Sequence, residues 1–116
     1  MPVALMTWQS LHEALMTLGR DRAVRARELG RLLLSAERLS LHRRFGHARL
    51  CEYAERVLGL SPRQTRERLR VAHALDALPL CDAALAGSKL LPAAARELTR
   101  VATAETESAW LAAAEG

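Results

Sequence analysis

One stretch carries most of the side chains that could contact a charged ligand, Ser61-Pro62-Arg63-Gln64-Thr65-Arg66-Glu67-Arg68-Leu69-Arg70. Arginine forms paired hydrogen bonds with phosphate and with the edge of guanine, and glutamine forms them with adenine. At 100° per residue, Arg63, Arg66 and Arg70 fall on one side of a helix, with Glu67 beside them. Thr65 falls on the opposite side. The stretch therefore predicts a helix that packs through one face and offers arginines to DNA on the other.

The residues before this helix predict how it begins. Gly59 suits the left-handed conformation that ends a preceding helix. Ser61 as N-cap, Pro62 at the first helical position and Gln64 three residues after the cap predict a capping box. Two helices joined by such a turn are typical of a helix-turn-helix, although any antiparallel helix pair with a solvated arginine face could use the same turn.

One detail departs from the usual helix-turn-helix pattern. A small residue normally lies four positions before the turn glycine, and here Glu55 holds that position while Ala54 precedes it. This offset predicts an unusual packing angle for the first helix of the pair.

The interpretation assigns a role to each candidate DNA-binding residue. Arg63, Gln64, Arg66 and Arg70 are expected to face the major groove, and Glu67 lies on the same face, where it repels phosphate or accepts from cytosine. The helix N-terminus at Ser61 and Pro62 is expected to offer free amides to a phosphate. Arg68 is expected to pair with a carboxylate on the packed flank. Three more arginines are expected near phosphates: Arg43, Arg44 and Arg49.

Composition predicts an all-α protein. The 116 residues include 22 Leu and 22 Ala but only 5 Val and no Ile, so helix formers dominate and β-branched residues are scarce. This length suits one domain. No apolar run approaches the ~18 residues of a membrane span and no signal peptide is visible, which favours a cytoplasmic protein without a membrane partner.

Charge is unevenly distributed along the chain. The net charge of +4 combines an excess of 7 positive charges in residues 1–70 with an excess of 3 negative charges in residues 71–116. A basic half that ends in the arginine-rich helix favours a polyanionic partner. Sixteen of the 17 basic residues are Arg, which suits bidentate contacts but is also the bias that a GC-rich genome produces.

Catalytic and metal-binding patterns are absent from the sequence. Cys51 and Cys81 form no CxxC pair and are expected to be reduced. His47 and Cys51 are four residues apart with His42 nearby, but a fourth zinc ligand is missing. We therefore expect no catalytic residue, metal, cofactor or small-molecule substrate within these 116 residues.

Hydrophobic periodicity predicts six or seven helices in a compact bundle containing the helix-turn-helix. Residues 1–6 are expected to be loose, and residues 1–41 to form a helical pair that could mediate oligomerisation. Its first helix would run from Thr7 to about Leu18 and be stopped by Gly19. Its second would run from Asp21 to about Leu41, with the run Leu32-Leu33-Leu34 enclosed on more than one side. Further helices are expected at residues 48–58, 62–78, 80–86, 92–102 and 103–114.

The order of several motifs resembles a known family. Phe45-Gly46-His47-Ala48-Arg49-Leu50-Cys51-Glu52-Tyr53, Leu58-Gly59-Leu60-Ser61, the run from Ala72 to Pro79, and Leu85-Ala86-Gly87-Ser88-Lys89-Leu90 resemble the N-terminal helical region of bacterial HNH endonucleases. Residues 58–102 are also similar to the helix-turn-helix of ParB and KorB partition proteins. The resemblance implies that residues 42–116 bind double-stranded DNA. Leu91 departs from it, because a Ser or Thr usually caps the helix that follows.

The resemblance does not extend to the nuclease. An HNH site needs histidines and usually an asparagine on a metal-binding ββα element, and this chain has no Asn and no strand pattern. The ending at Glu115-Gly116 leads us to expect a fragment of a longer protein. The leading interpretation is a DNA-binding domain that could act as a homodimer. The alternative is an interaction or oligomerisation module that uses residues 7–41 and does not bind DNA.

Overall fold

The computed structural model describes residues 6–115, and all regular structure in that part of the chain is helical. The α-helices are α1 (Trp8–Arg38), α2 (Leu41–Arg44), α3 (Leu50–Tyr53), α4 (Pro62–Asp76), α5 (Pro79–Ala86), α6 (Pro92–Val101) and α7 (Glu107–Glu115). The all-α prediction is confirmed. The expectations for the N-terminus and for the end at Gly116 fall largely on residues 1–5 and 116, outside the described part. None of the described helices combines the length and apolarity needed to cross a membrane.

The predicted helical pair in residues 1–41 is wrong, because α1 is one continuous helix of 31 residues. Gly19 lies inside it and Asp21 caps nothing. A glycine inside a helix costs only about 1 kcal/mol, and no proline or capping side chain nearby forces an end. Thr7 begins the helix by accepting a hydrogen bond from the Ser10 amide at 3.2 Å. The helix ends instead at Arg38. Leu39 is its C-cap, and the next residue, Ser40, takes a positive φ of 51°.

The turn into α4 forms as predicted. Gly59 has a φ of 70°, and the Leu60 amide donates back to the Ala54 carbonyl at 3.2 Å. The Ser61 hydroxyl accepts from the Gln64 amide at 3.1 Å, while the Gln64 side chain accepts from the Ser61 amide at 2.9 Å. This reciprocal capping box satisfies two amides at the start of the helix.

A π-helical turn explains the displaced small residue in the preceding helix. After α3, residues Ala54–Leu58 form one π turn that leads to Gly59. A π turn holds more residues than an α turn, so it shifts the side chains before it relative to the glycine. Ala54, five positions before Gly59, is completely buried, whereas Glu55 is exposed. Ala54 therefore takes the packed position that the usual pattern places four residues before the turn.

The core lies where α1 crosses α4, α5 and α6. Its buried members are Ala23, Leu75, Leu78, Cys81, Leu85, Leu90, Ala95 and Leu98. Gly30 allows α1 and α4 to approach closely, since a Cβ built there would lie 3.4 Å from the Ala72 Cβ and 3.5 Å from the Arg68 carbonyl oxygen. Arg27 of α1 also donates two hydrogen bonds, of 2.8 and 2.9 Å, to Asp82 of α5. Packing and this ion pair fix the middle of α1 against the other helices.

The leucine run in α1 is only partly enclosed. Leu33 and Leu34 are 3% and 7% exposed, but Leu32 is 60% exposed, so the expectation that all three are covered is wrong for Leu32. Consecutive residues of a helix point about 100° apart, and the other helices cover α1 here from the side of Leu33 and Leu34. Helical periodicity also predicts that Val57 and Val101 face inward, but both are more than half exposed.

The start of the last helix differs from the prediction by several residues. α7 begins at Glu107 and not at Thr103. Thr103 and Thr106 form a turn instead, in which the Thr103 amide donates to the Thr106 hydroxyl at 2.8 Å. As expected, the Leu91 side chain makes no capping hydrogen bond at the start of α6.

The N-terminal part of α1 lies outside the core. No residue from 8 to 18 is buried, and their side-chain hydrogen bonds are local ones between Thr7 and Ser10. We call residues 8–18 the arm. The apolar side chains that share one side of it are exposed: Trp8 (76%), Leu11 (41%), Leu15 (60%) and Leu18 (64%).

Candidate nucleic-acid interface

The beginning of α4 presents three exposed polar side chains, those of Arg63, Gln64 and Arg66. Thr65, between them, is completely buried, which fixes the rotation of the helix. Within the described part of the chain, no carboxylate oxygen lies within 4 Å of Arg63 or Arg66. Both guanidinium groups are thus available to a ligand, as the sequence predicted for this end of the helix.

Arg70 does not belong to this exposed face, which corrects the prediction of three aligned arginines. Its guanidinium lies 2.6 Å from Glu67 and also donates to the Thr99 hydroxyl at 3.3 Å and the Arg96 carbonyl at 3.0 Å. Thr99 and Arg96 belong to α6, which packs against this side of α4. Arg70 therefore joins two helices and is not free to read a base.

Glu67 belongs to the same contact between helices. It accepts from Arg70 and, at 3.2 Å, from Arg100. The hydrogen bond from Arg70 lowers the pKa of Glu67, with further lowering by the positive charges of Arg70 and Arg100. Glu67 is therefore ionised, and the positive charges of Arg70 and Arg100 compensate its negative charge. It repels phosphate less than the sequence suggested.

We expect Arg70→Ala to lower the free energy of unfolding by about 1–2 kcal/mol, since hydrogen bonds to charged groups are lost and Glu67 keeps fewer partners. Arg66→Ala is the matched control and should change stability by less than about 0.5 kcal/mol. The pKa of Glu67 is lowered in the folded state. Its contribution to the free energy of unfolding is therefore complete above the ordinary pKa of 4.5 and is lost as the pH falls through the lowered pKa. Urea denaturation should therefore show the gap between wild type and Arg70→Ala narrowing in acid. A gap that is the same at neutral and acid pH would contradict this role.

The amides at the start of α4 offer less to a phosphate than predicted. Pro62 has no N–H, and the Ser61 and Gln64 amides are occupied in the capping box. Among the described residues, the Arg63 amide is the one in this first turn without a hydrogen-bond acceptor. The same box holds Gln64 Oε1, so Gln64 can offer a ligand only its NH₂ group.

The remaining predicted arginines lie outside α4 or on its packed side. Arg43 and Arg44 are exposed on α2, and Arg49 is exposed at the N-cap of α3. These short helices connect α1 to α4, since α2 packs against α1 and α3 while α3 packs against α4. Arg68 is half-buried, and no carboxylate of the described residues lies within 4 Å, so its predicted ion pair does not form.

Two features of this surface were not predicted from the sequence. A cleft of about 260 Å³ beside Arg66 is lined by residues of α1 and α4, including Arg38 and His73. A larger groove lies on another side of α4, between α1 and α6. Neither has a local sequence signature, because each depends on which distant helices meet.

The cysteines and histidines do not form a reactive centre. In the described residues, no three His, Cys, Asp or Glu side chains converge as metal ligands would. Cys51 and Cys81 are free thiols. Burial, aided by a hydrogen bond to Glu107 and by its negative charge, raises the pKa of Cys81 to about 11, so this thiol is protonated at neutral pH.

A scan against protein-family models, a search of curated proteins and a search of solved structures found no match for this chain.

Proposed function

We propose that this chain is a DNA-binding domain that places the beginning of α4 in the major groove of duplex DNA. The observation that carries the proposal is the exposure of Arg63 and Arg66, which have no carboxylate partner among residues 6–115, next to a completely buried Thr65. An arginine side chain that has no partner within its own protein is available to phosphate or to a guanine edge. The glycine turn and the capping box hold this end of the helix in a defined position.

The reading surface then consists of Arg63, Arg66 and the NH₂ group of Gln64. Arg70 and Glu67 instead maintain the contact between α4 and α6. The exposed arginines of α2 and of the α3 N-cap supply phosphate contacts that position the domain without selecting a sequence. The basic excess in residues 1–70 and the resemblance to the DNA-binding region of HNH-endonuclease-like and ParB-like proteins support this assignment.

We expect Arg63→Ala and Arg66→Ala each to weaken duplex binding while stability changes by less than about 0.5 kcal/mol. An arginine that reads guanine should cost roughly 1–3 kcal/mol and relax specificity at one base pair, whereas one that meets only phosphate should weaken all sequences alike. Fluorescence anisotropy with a pool of duplex sequences distinguishes these cases. Arg20→Ala, an exposed arginine of α1 that lines neither of the clefts beside α4, is the control and should bind like wild type. If the double variant folds and binds DNA as tightly as wild type, α4 is not the reading helix.

Self-association through the arm is a second candidate function. Trp8, Leu11, Leu15 and Leu18 are spaced by three, four and three residues, which is the repeat of a coiled-coil seam. This stripe is self-complementary, because in an antiparallel pair of arms Trp8 meets Leu18 and Leu11 meets Leu15 of the other copy. Its exposure leaves it available for such pairing.

We expect Leu15→Glu to shift the protein from dimer to monomer in sedimentation equilibrium, because a carboxylate would be placed at the centre of the apolar seam. Met16→Glu is the matched control, since Met16 is exposed on another side of the same arm and should leave the dimer intact. A wild-type protein that stays monomeric up to millimolar concentration would contradict this second function.

A further inference from the structure

The groove beside α4 is lined by more arginines than carboxylates. It has a volume of about 850 Å³ and is lined by residues of α1, α4, α5 and α6. Eight arginines line it, together with four carboxylates. A concave surface with one sign of charge concentrates its field and attracts ligands of the opposite sign.

Most of the carboxylates in the groove are already paired. Asp82 binds Arg27, Glu67 binds Arg70 and Arg100, and Asp76 binds Arg38. Asp21 is the one carboxylate of the lining without a salt bridge in the described part of the chain. Six lining arginines have no carboxylate within 4 Å in the same part: Arg22, Arg25, Arg31, Arg63, Arg68 and Arg96.

The groove also has an apolar side. Leu18 and Leu91 line it and are 64% and 63% exposed, and Leu29, Val71 and Pro92 are half-buried there. None of the lining residues is Phe, Tyr, Trp or His. Single-stranded nucleic acid is usually held by bases stacked on aromatic side chains, so this lining does not favour it. Aliphatic side chains among arginines match a ligand that is both apolar and acidic.

The dimensions of the groove agree with a helical ligand. Its lining on α1 extends from Leu18 to Arg31, which is about 20 Å of helix at 1.5 Å per residue. A helix of about 14 residues has the same length. Amphipathic helices commonly bind in grooves between helices through apolar residues at i, i+3, i+4 and i+7.

We infer that this groove binds an acidic amphipathic helix of a partner protein, with leucine-like residues against Leu29 and Leu91 and carboxylates against the unpaired arginines. The partner is thus defined by one apolar stripe flanked by Asp or Glu. The groove shares Arg63 and Gln64 with the proposed DNA-reading face, but Arg66 does not line it, so a variant of Arg66 separates the two ligands.

The test uses the full chain and a synthetic peptide of about 14 residues, with Leu at helical i, i+3, i+4 and i+7 positions and Glu at most others. A scrambled peptide of the same composition and a single-stranded oligonucleotide of equal charge are the comparison ligands. We expect the amphipathic peptide to bind in fluorescence anisotropy at least about tenfold more tightly than the scrambled one, because only it presents a continuous apolar stripe.

Three variants locate the binding site. Arg25→Glu and Arg96→Glu should each weaken peptide binding about tenfold or more, since both side chains are exposed in the groove. Leu91→Ser removes an apolar contact at a position where serine suits the N-cap of α6, so it should weaken binding without unfolding the protein. Arg44→Glu, an exposed arginine outside the groove, is the matched control and should bind the peptide within about twofold of wild type.

Three results would overturn the inference. Equal affinity for the amphipathic and scrambled peptides would show that binding is only non-specific charge attraction. A loss of affinity in Arg44→Glu equal to that in Arg25→Glu would show the same. Tighter binding of the oligonucleotide, with the same sensitivity to Arg25→Glu and Arg96→Glu, would make it a nucleic-acid site. Failure of the peptide to bind at millimolar concentration would show that the groove accepts no such helix. Each result is separable from DNA binding, because Arg66→Ala should weaken duplex binding but not peptide binding.

Discussion

Replacing Leu33 with alanine should lower the free energy of unfolding by roughly 2–5 kcal/mol, the range for removing a leucine from a packed core. Leu33 is 3% exposed on α1, so the deleted methyl groups leave a cavity that the surrounding helices fill only in part. Urea denaturation followed by far-UV circular dichroism measures the loss.

Leu32 provides the matched control in the neighbouring position. It is 60% exposed, and Leu32→Ala makes the same chemical change on the same helix with little apolar contact to lose. We expect it to change stability by less than about 0.5 kcal/mol. Equal losses in the two variants would show that α1 is not oriented as described.

The second large effect concerns Glu107, whose side chain is buried although it is acidic. Glu107 is 2% exposed, and its two carboxylate oxygens accept from the amides of Leu80 and Cys81 at 3.2 and 3.1 Å. These amides belong to the first turn of α5, where the helix lacks internal acceptors and carries partial positive charge. Glu107 therefore connects α7 to the start of α5, where Leu78 provides no capping side chain.

Replacing Glu107 with alanine should destabilise the fold by roughly 2–4 kcal/mol, because the buried Cys81 amide and the part-buried Leu80 amide lose their acceptor and the side chain leaves a cavity. Glu107→Gln keeps one acceptor oxygen and should lose less. Glu105→Ala, in the exposed turn before α7, is the control and should change stability by less than about 0.5 kcal/mol. Thermal unfolding of the three variants gives the order, and a Glu107→Ala protein as stable as Glu105→Ala would rule out the capping role.

The parts of the fold that could be predicted from sequence are those with local causes. The capping box at Ser61 and Gln64 and the turn at Gly59 depend on residues a few positions apart, and both form as predicted. The high helix content was also predictable, because Leu and Ala are strong helix formers and β-branched residues are scarce. The end predicted at Gly19 failed because a single glycine only weakly opposes a helix that has no competing cap.

The parts that could not be predicted depend on contacts between distant segments. Arg70 lies on the outer side of α4 when that helix is considered alone, and only the packing of α6 turns it into a contact between helices. Glu107 and Cys81 are 26 residues apart, so nothing near either residue indicates the cap. The groove likewise combines arginines of three helices. For the candidate site, sequence alone therefore identified Arg63 and Arg66 correctly as exposed but assigned Arg70 and Glu67 to the wrong surface.

The salt dependence of duplex DNA binding tests the central proposal most directly. The logarithm of the binding constant falls linearly with the logarithm of the salt concentration. Each arginine that neutralises a phosphate makes the slope of this line steeper by about 0.9. The Arg63→Ala/Arg66→Ala double variant should therefore bind more weakly and, if both residues meet phosphate, with a slope that is shallower by about 2. If both residues read bases, affinity should fall only for the preferred sequence. Wild-type protein that shows no salt-dependent binding to any duplex, or a folded double variant with unchanged affinity and slope, would contradict the proposed function.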